Sequence, residues 1–121
     1  FDVATGRPLW SRIEKLRCPE FSFACITALS APVTLVPGVV FGGGHDGRLV
    51  AYAAKDGAVL WKTDTNRAFA TVNGVEAKGG TIDGQGPVVA GDMVIVNSGY
   101  DKFGEIAGNV LLVYRLKGAD R

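Results

Sequence analysis

The ten residues YAAKDGAVLW, at positions 52–61, occur a second time as FDVATGRPLW at positions 1–10. With a separation of 51 residues, the two copies align Phe1 with Tyr52, Gly6 with Gly57, Leu9 with Leu60 and Trp10 with Trp61. An aromatic residue, a turn glycine and a tryptophan at fixed offsets are the parts of one hairpin used twice. Self-similarity at this spacing indicates a repeat architecture. We expect the chain to begin in the middle of a unit and to be a piece of a longer protein.

The region around the second copy predicts four short strands joined by tight turns. Turn signals stand at Pro37-Gly38, Asp46-Gly47 and Lys55-Asp56-Gly57, between apolar and β-branched runs. The predicted strands cover 32–36, 39–41, 48–54 and 58–62. Such an antiparallel meander has the size of one β-propeller blade. The same order returns at 87–90, 93–96 and 109–116.

These patterns predict an all-β fold, a β-propeller fragment made of four-stranded antiparallel blades. Residues 1–16 are interpreted as the end of one blade, 31–65 as a complete blade and 86–117 as the first three strands of the last blade. No segment has the length, periodicity and caps of a helix. A sheet of four strands needs neighbours to cover its faces. We therefore expect the fragment alone to be marginally stable and inactive, and the N-terminus of the longer protein to supply the strand that completes the last sheet.

Composition excludes several classes of protein. The 13 basic and 12 acidic residues nearly cancel, so the sequence has no electrostatic footprint for nucleic acid. Prolines and hydroxyl residues interrupt the most apolar region, 21–41, and no membrane span is predicted. Cys18 and Cys25 allow either one disulfide bridge or two buried thiols. His45 is the only histidine, and no CxxC or HxxxH spacing predicts a metal site.

The alternation of strands places the long polar loops on one face of the predicted blades. Loops 16–31, 42–47, 65–86 and 97–108 share this face, while the short turns share the other one. Long loops carry function more often than economical turns do, and a polar rim above a channel suits a ligand. The rim residues are Arg67, Asn73, Glu76, Lys78, Asp83, Gln85, Asn97, Tyr100, Asp101, Lys102 and Asn109, with His45 and Asp46. The alternative interpretation is that they are ordinary solvated loop residues.

Within this rim, Lys78 and Asp83 are the first candidates for a binding site. They are flanked by Gly79-Gly80 and Gly84, and glycines let a backbone approach a flat ligand closely.

The repeated hairpin carries a resemblance to a known family. The pattern of Ala, one residue, Asp, two residues, Thr-Gly, three residues and Trp is the tryptophan-docking motif of quinoprotein propellers that bind pyrroloquinoline quinone. Asp2, Thr5, Gly6 and Trp10 match it in the first copy. Ala51, Gly57 and Trp61 match it in the second copy, which departs from the motif at Ala53 and Asp56. The resemblance implies that Trp10, Trp61, Gly6 and Gly57 serve docking between blades rather than stacking on a cofactor.

A broader resemblance covers almost the whole chain. The stretches PGVVFGGGHDGRLVAY (37–52), DTNRAFATVNGVEAKGG (64–80), GPVV (86–89), VNSGY (96–100) and GNVLL (108–112) resemble the C-terminal blades of polyvinyl-alcohol dehydrogenase-like proteins. This implies an eight-bladed parent in the periplasm or secreted, with pyrroloquinoline quinone and calcium as cofactors. It also implies oxidation of an alcohol, with electrons passed to cytochrome c.

The resemblance gives the rim candidates specific roles. Asp83 is the candidate for the catalytic base or a calcium ligand. Lys78 and Arg67 are candidates for pairing with the cofactor, and Asn97 for binding the metal or the quinone. The alternative function is a non-catalytic propeller of the same repeats that binds protein partners, as in outer-membrane assembly lipoproteins.

Overall fold

The computed structural model describes residues 1–15, 17 and 27–117. Cys18 and Cys25, with the question of their pairing, lie outside these residues. Within the described part, the chain forms strands and turns and no helix. The strands, numbered in chain order, are β1 (Thr34–Val36), β2 (Val39–Gly43), β3 (Arg48–Ala53), β4 (Val59–Asp64), β5 (Ala68–Phe69), β6 (Ala77–Lys78), β7 (Val88–Ala90), β8 (Met93–Ser98) and β9 (Val110–Arg115).

Two antiparallel sheets make up most of the structure. The first is a four-stranded meander of order β1-β2-β3-β4, and the second has three strands of order β7-β8-β9. Each begins with a tight hairpin, in which Val36 pairs with Val39 and Ala90 pairs with Met93. The all-β prediction is confirmed: alternating β-branched residues with glycine at the turns favour short pleated strands over helices.

A third, small sheet was not predicted. Strands β5 and β6 form a two-stranded hairpin inside the long loop 65–86, where Ala68 pairs with Lys78 and Phe69 with Ala77. Strands of two residues are too short to leave a period-2 pattern in a sequence. The long rim loop is therefore partly ordered by its own backbone hydrogen bonds.

The hydrophobic core lies between the two larger sheets. Its fully buried members are Leu49 from β3, Ile82 from the segment before β7, and Val96 from β8. Full burial of side chains of this size stabilises a fold by roughly 1.5–3 kcal/mol each. The first strands of the two sheets also meet, because the Thr34 hydroxyl donates a hydrogen bond to the Pro87 carbonyl oxygen. The two sheets are thus neighbours that share one core.

The first ten residues reproduce the turn of the second repeat without its strands. The amide of Gly6 donates to the Asp2 carbonyl at 2.8 Å, and the amide of Gly57 donates to the Ala53 carbonyl at 2.9 Å. The backbone φ angles of the two glycines, 68° and 71°, are nearly equal. No strand forms within residues 1–15, because a strand requires a paired neighbour. The division of the chain into one complete and two partial blades remains a prediction.

None of the described residues belongs to a helix long and apolar enough to span a membrane.

Candidate functional site

Thr81 connects three of the predicted rim loops. Its side chain is fully buried, and its hydroxyl donates to the His45 carbonyl at 2.7 Å while it accepts from the Ile106 amide at 3.0 Å. Its backbone amide donates to the Ile106 carbonyl, and its backbone carbonyl accepts from the amides of Gly99 and Tyr100. One residue therefore ties loops 42–47, 65–86 and 97–108 together. This agrees with the strand alternation, which places these loops on one face.

Two buried hydroxyl groups, those of Thr65 and Ser98, add further hydrogen bonds between these loops. The Ser98 hydroxyl lies 2.7 Å from the Thr65 hydroxyl, and it accepts from the Gly80 amide at 2.9 Å. The Thr65 hydroxyl also contacts the Gly47 carbonyl at 2.7 Å. Buried polar groups are costly unless they are paired, and these side chains pair with one another. The junction is consequently satisfied and rigid.

Three ionisable side chains, one from each of the loops that Thr81 joins, lie close together. His45 Nε2 is 3.8 Å from Asp83 Oδ2, and donor atoms of His45, Asp83 and Glu105 all lie within 4.8 Å of one another. The side chains of His45 and Asp83 are 17% and 24% exposed, whereas Glu105 is buried. Glu105 Oε2 accepts from the backbone amides of Lys102 and Phe103 at 2.8 and 3.0 Å. The set is partly accessible and has one carboxylate held in place by backbone donors.

Sequence reasoning named two members of this set and missed the third. His45 and Asp83 were among the predicted rim residues, but Glu105 was not. Glu105 lies in loop 97–108 without any motif around it, and the hydrogen bonds of Thr81 and Ser98 bring that loop to the segment that carries Asp83. The signal that could have drawn attention to it is a carboxylate in a polar rim loop that shares a face with Asp83.

The predicted cofactor residues Arg67 and Lys78 lie on the small hairpin instead. The Arg67 guanidinium stacks over the Phe69 ring at 4.0 Å from its centroid, and the Gly79 amide donates to the Arg67 carbonyl. Lys78 is exposed, and its backbone amide donates to Asn109 Oδ1 at 2.9 Å. An open cavity of about 510 Å³ is lined by Ala68, Phe69, Glu76, Ala77, Lys78 and Asn109. Lys78 and Arg67 thus share the small hairpin, and no hydrogen bond or ion pair among the described residues joins their side chains to those of His45, Asp83 or Glu105.

Asn97 is not joined to Asp83 by any contact among the described residues. It lies in β8 opposite Leu111 of β9 and is exposed. Successive side chains of a strand point to opposite faces, so Asn97 faces away from its neighbour Ser98, whose hydroxyl contacts Gly80. The two residues predicted as metal ligands, Asp83 and Asn97, therefore have different surroundings.

Gly79 and Gly80 approach protein backbone rather than an open space for a ligand. A Cβ at Gly79 would lie 1.9 Å from the Thr65 carbonyl oxygen, and a Cβ at Gly80 would lie 2.0 Å from the Ile106 carbonyl oxygen. The expectation that these glycines make room for a flat ligand needs correction, since the space beside them is already filled by the chain itself.

The two tryptophans each contact the unit that follows them. Trp10 Nε1 donates to the Ala54 carbonyl at 2.8 Å, and its ring centroid is 6.1 Å from that of Tyr52. Trp61 makes an edge-to-face contact with Tyr114, with centroids 5.1 Å apart. Tyr52 and Tyr114 stand in the third strands of their sheets. These contacts have the geometry that docking between blades requires, and docking itself remains a prediction.

A second group of charges lies beside Tyr52 and includes the rim residue Asp46. The Tyr52 hydroxyl donates to Glu14 Oε1 at 3.2 Å, and Arg48 pairs with both Glu14 and Asp46, at 3.0 and 2.6 Å. Burial, and then the Glu14 carboxylate, raise the pKa of Tyr52 to about 12. The hydrogen bond from Arg12 lowers the pKa of Glu14. This network joins the first fifteen residues to the four-stranded sheet.

Comparison with known proteins identifies the family. The PQQ_2 family model, described as outer membrane protein assembly factor BamB, matches residues 1–118. The chain belongs to the PQQ_2 family. The resemblance noted in the sequence is thereby confirmed, and membership of this repeat family agrees with a β-propeller fragment built from the antiparallel sheets described above.

Several relatives of this PQQ_2 chain are named alcohol dehydrogenases. It is 38% identical to a polyvinylalcohol dehydrogenase of Pseudomonas sp, in an alignment that covers 96% of the chain and 20% of the relative. It is 36% identical to a polyvinylalcohol dehydrogenase of Sphingopyxis sp. (strain 113P3), covering 82% of the chain and 16% of the relative. It is 33% identical to a 1-butanol dehydrogenase (cytochrome c) of Thauera butanivorans, covering 81% of the chain and 13% of the relative. The PQQ_2 chain spans a fifth or less of the length of these relatives.

The resemblance implies two bound groups, pyrroloquinoline quinone and calcium. The predicted site residues do not suit both of them equally. Pyrroloquinoline quinone is a planar polycarboxylate, and the Phe69 ring with the cations Arg67 and Lys78 suits a flat anion. Calcium takes oxygen ligands, whereas Asp83 has an imidazole beside it and no contact to Asn97. Arg67 and Lys78 therefore suit a carboxylate of the quinone, with the carboxylate residue Glu76 in the lining of the same cavity, whereas the predicted ligands Asp83 and Asn97 do not come together as a calcium site.

Proposed function

We propose that this chain is a C-terminal part of a quinone-dependent alcohol dehydrogenase of the polyvinyl-alcohol dehydrogenase type, located in the periplasm or secreted. The observation that carries the proposal is the junction at Thr81, which brings a partly exposed Asp83 to the rim face beside His45. A reacting alcohol needs such a carboxylate within reach, held on a rigid support. The names of the relatives supply the reaction class.

In this proposal, Asp83 takes the proton of the substrate hydroxyl. Its side chain is partly exposed, so a hydroxyl can approach it, while the buried junction beneath keeps its backbone fixed. Pyrroloquinoline quinone, when bound, would supply the hydride acceptor for the carbinol carbon, and a cytochrome c would be the electron acceptor of the reduced cofactor. General base catalysis contributes typically 10²–10⁴-fold to a rate. Removal of the Asp83 carboxylate should lower the rate of alcohol oxidation by a factor of that size.

Arg67, Lys78 and Asn97 have binding roles in this proposal. Arg67 and Lys78 offer positive charge on paired strands next to the Phe69 ring, where a carboxylate of the quinone could be held. Asn97 offers an amide on the exposed side of β8. Each of these roles is separable from that of Asp83, because they belong to different groups of side chains.

The test uses the full-length protein that carries this sequence, loaded with the quinone. Asp83→Asn keeps the size of the side chain and removes its basicity, so alcohol-dependent dye reduction should fall at least about 10²-fold. Asp56→Asn, at an aspartate outside the rim set whose side chain is 52% exposed, is the matched control. Wild-type rates for Asp83→Asn would eliminate the proposed base.

A titration of the apoprotein with the quinone tests the binding residues. Lys78→Ala, Arg67→Ala and Asn97→Ala should each weaken binding, and Lys55→Ala, whose side chain is 84% exposed, should not. Equal affinity for all four variants would remove these residues from the cofactor site.

A second candidate function is favoured by the description of the family. The PQQ_2 model carries the name of an outer membrane protein assembly factor, so the same repeats suit a non-catalytic scaffold that binds protein partners. Fold alone does not decide between the two. A full-length protein that neither binds the quinone nor reduces dye would support the scaffold and reject the dehydrogenase.

A further inference from the structure

The imidazole of His45 lacks a hydrogen-bonding partner within the described residues. Its Nδ1 is buried without any partner. Its Nε2 is 3.8 Å from Asp83 Oδ2, which is longer than a hydrogen bond. A buried imidazole nitrogen that is left unpaired is destabilising. The ring therefore has free ligand capacity next to a carboxylate.

Glu105 supplies a third donor that is already oriented. One oxygen of its buried side chain, Oε2, accepts hydrogen bonds from the backbone amides of Lys102 and Phe103. These two amide donors fix the direction of the carboxylate. The anchored carboxylate needs little ordering to bind a cation.

The spacing of the three donors is that of an open metal site. Two ligands of one zinc ion, each about 2.1 Å from the metal at a tetrahedral angle, lie roughly 3.4 Å apart. The donors of His45, Asp83 and Glu105 are all within 4.8 Å of one another, so rotations of the side chains are enough to close around an ion. Thr81 holds the loops of all three residues in place, which preserves this proximity.

The donor set selects the kind of ion. One imidazole nitrogen with two carboxylates suits zinc and similar first-row ions, whereas calcium and magnesium prefer oxygen donors alone. Two carboxylates also balance the charge of a divalent cation. We propose that His45, Asp83 and Glu105 bind a divalent transition-metal ion such as zinc, and not calcium.

Binding of zinc at Asp83 has one consequence that rests on the proposed function. A carboxylate bound to the ion is no longer free to take a proton, so zinc should inhibit alcohol oxidation by occupying Asp83. Binding of the ion and inhibition by it are measured separately, which makes the failure of either idea distinguishable.

The experiment measures zinc binding to full-length protein stripped of metal. Calorimetric titration with Zn²⁺ should show one site that is at least about tenfold weaker in His45→Gln and in Glu105→Gln. Asp56→Asn, at an aspartate outside the rim set whose side chain is 52% exposed, is the control and should bind as the wild type does. Titration with Ca²⁺ should be the same for the wild type and His45→Gln. An identical Zn²⁺ titration for the wild type and both variants would overturn the site.

A second measurement uses the wild type alone, so it holds even where a variant does not fold. Diethyl pyrocarbonate modifies accessible imidazoles, and mass spectrometry of the peptide containing His45 reports its rate. Zn²⁺ should slow this modification at least about tenfold, and Ca²⁺ should leave it unchanged. Equal rates with and without Zn²⁺ overturn the proposal. Protection of His45 without inhibition of dye reduction supports the metal site and eliminates Asp83 as the base.

Discussion

The indole ring of Trp10 occupies the space where a side chain of Gly57 would project. A Cβ at Gly57 would lie 2.5 Å from Trp10 Cε3, and the φ angle of Gly57 is +71°. The glycine conserved between the two copies of the hairpin thus serves two needs at once: it permits the turn, and it receives the tryptophan of the preceding unit.

Gly57→Ala should destabilise the protein more than the turn conformation alone explains. A left-handed φ costs a side chain about 1–2 kcal/mol, and displacing the indole adds roughly 1–3 kcal/mol. Gly38→Ala is the matched control, because Gly38 has a φ of +81° with open space around it. Urea unfolding of the two variants gives the difference. Equal losses of unfolding free energy would show that the Trp10 contact contributes nothing.

Thr81→Val should loosen the junction of the rim loops while it keeps the shape of the side chain. The change leaves the His45 carbonyl and the Ile106 amide without their partner, and each unsatisfied buried group costs about 1–3 kcal/mol. Thr81→Ser retains the hydroxyl and should lose much less. Chemical denaturation of both variants is the measurement, and Thr71→Val, at a partly exposed threonine, is the control. A serine variant as unstable as the valine variant would contradict the role of the hydroxyl.

Gly80→Ala should be among the most damaging single changes in the chain. Its Cβ would lie 2.0 Å from the Ile106 carbonyl oxygen, a backbone atom that cannot move aside alone. We expect a loss of about 3 kcal/mol or more. Gly42→Ala, where the nearest atom is a Leu29 side-chain carbon at 3.5 Å, should cost far less. Thermal melting compares the two, and similar midpoints would refute the close approach.

Tyr52 should make stability depend on pH in the alkaline range. Burial raises the pKa of its hydroxyl from about 10 to about 12. The unfolded chain therefore releases this proton first, so the stabilising effect is complete below pH 10 and is lost as the pH rises towards 12. Tyr52→Phe has no such proton, and its stability should fall less over this range. Urea unfolding at pH 9 and pH 11 checks the sign, and parallel curves for the two proteins would contradict it.

The sequence was sufficient for the large sheets because their strands have β-branched residues and glycine turns at regular positions. Val39, Val40 and Phe41, followed by a glycine turn and LVAYA at 49–53, leave little choice of structure. The small hairpin escaped prediction because its strands have two residues each. The first ten residues lack strands because hairpin pairing depends on a neighbouring strand and not on the sequence of one segment.

The candidate site was only partly predictable. Strand alternation predicts that loops 42–47, 65–86 and 97–108 share a face, which agrees with their contacts through Thr81, and His45 and Asp83 are among the residues named there. The meeting of these two residues with Glu105 depends on the backbone hydrogen bonds of Thr81, and no residue pattern records such bonds. Glycine spacing was misleading for a related reason: Gly79 and Gly80 make room for backbone, and the sequence does not say what fills the space beside a glycine.

The placement of the two tryptophans makes them separate optical reporters. The chain has only these two, and each one faces a tyrosine of the following unit: Trp10 faces Tyr52, and Trp61 faces Tyr114. In the 121-residue chain by itself, fluorescence from a Trp61→Phe variant would therefore follow the first junction alone, and fluorescence from a Trp10→Phe variant would follow the second. If the units unfold separately, the two variants would then show transitions that differ in emission wavelength and in midpoint, without any added label.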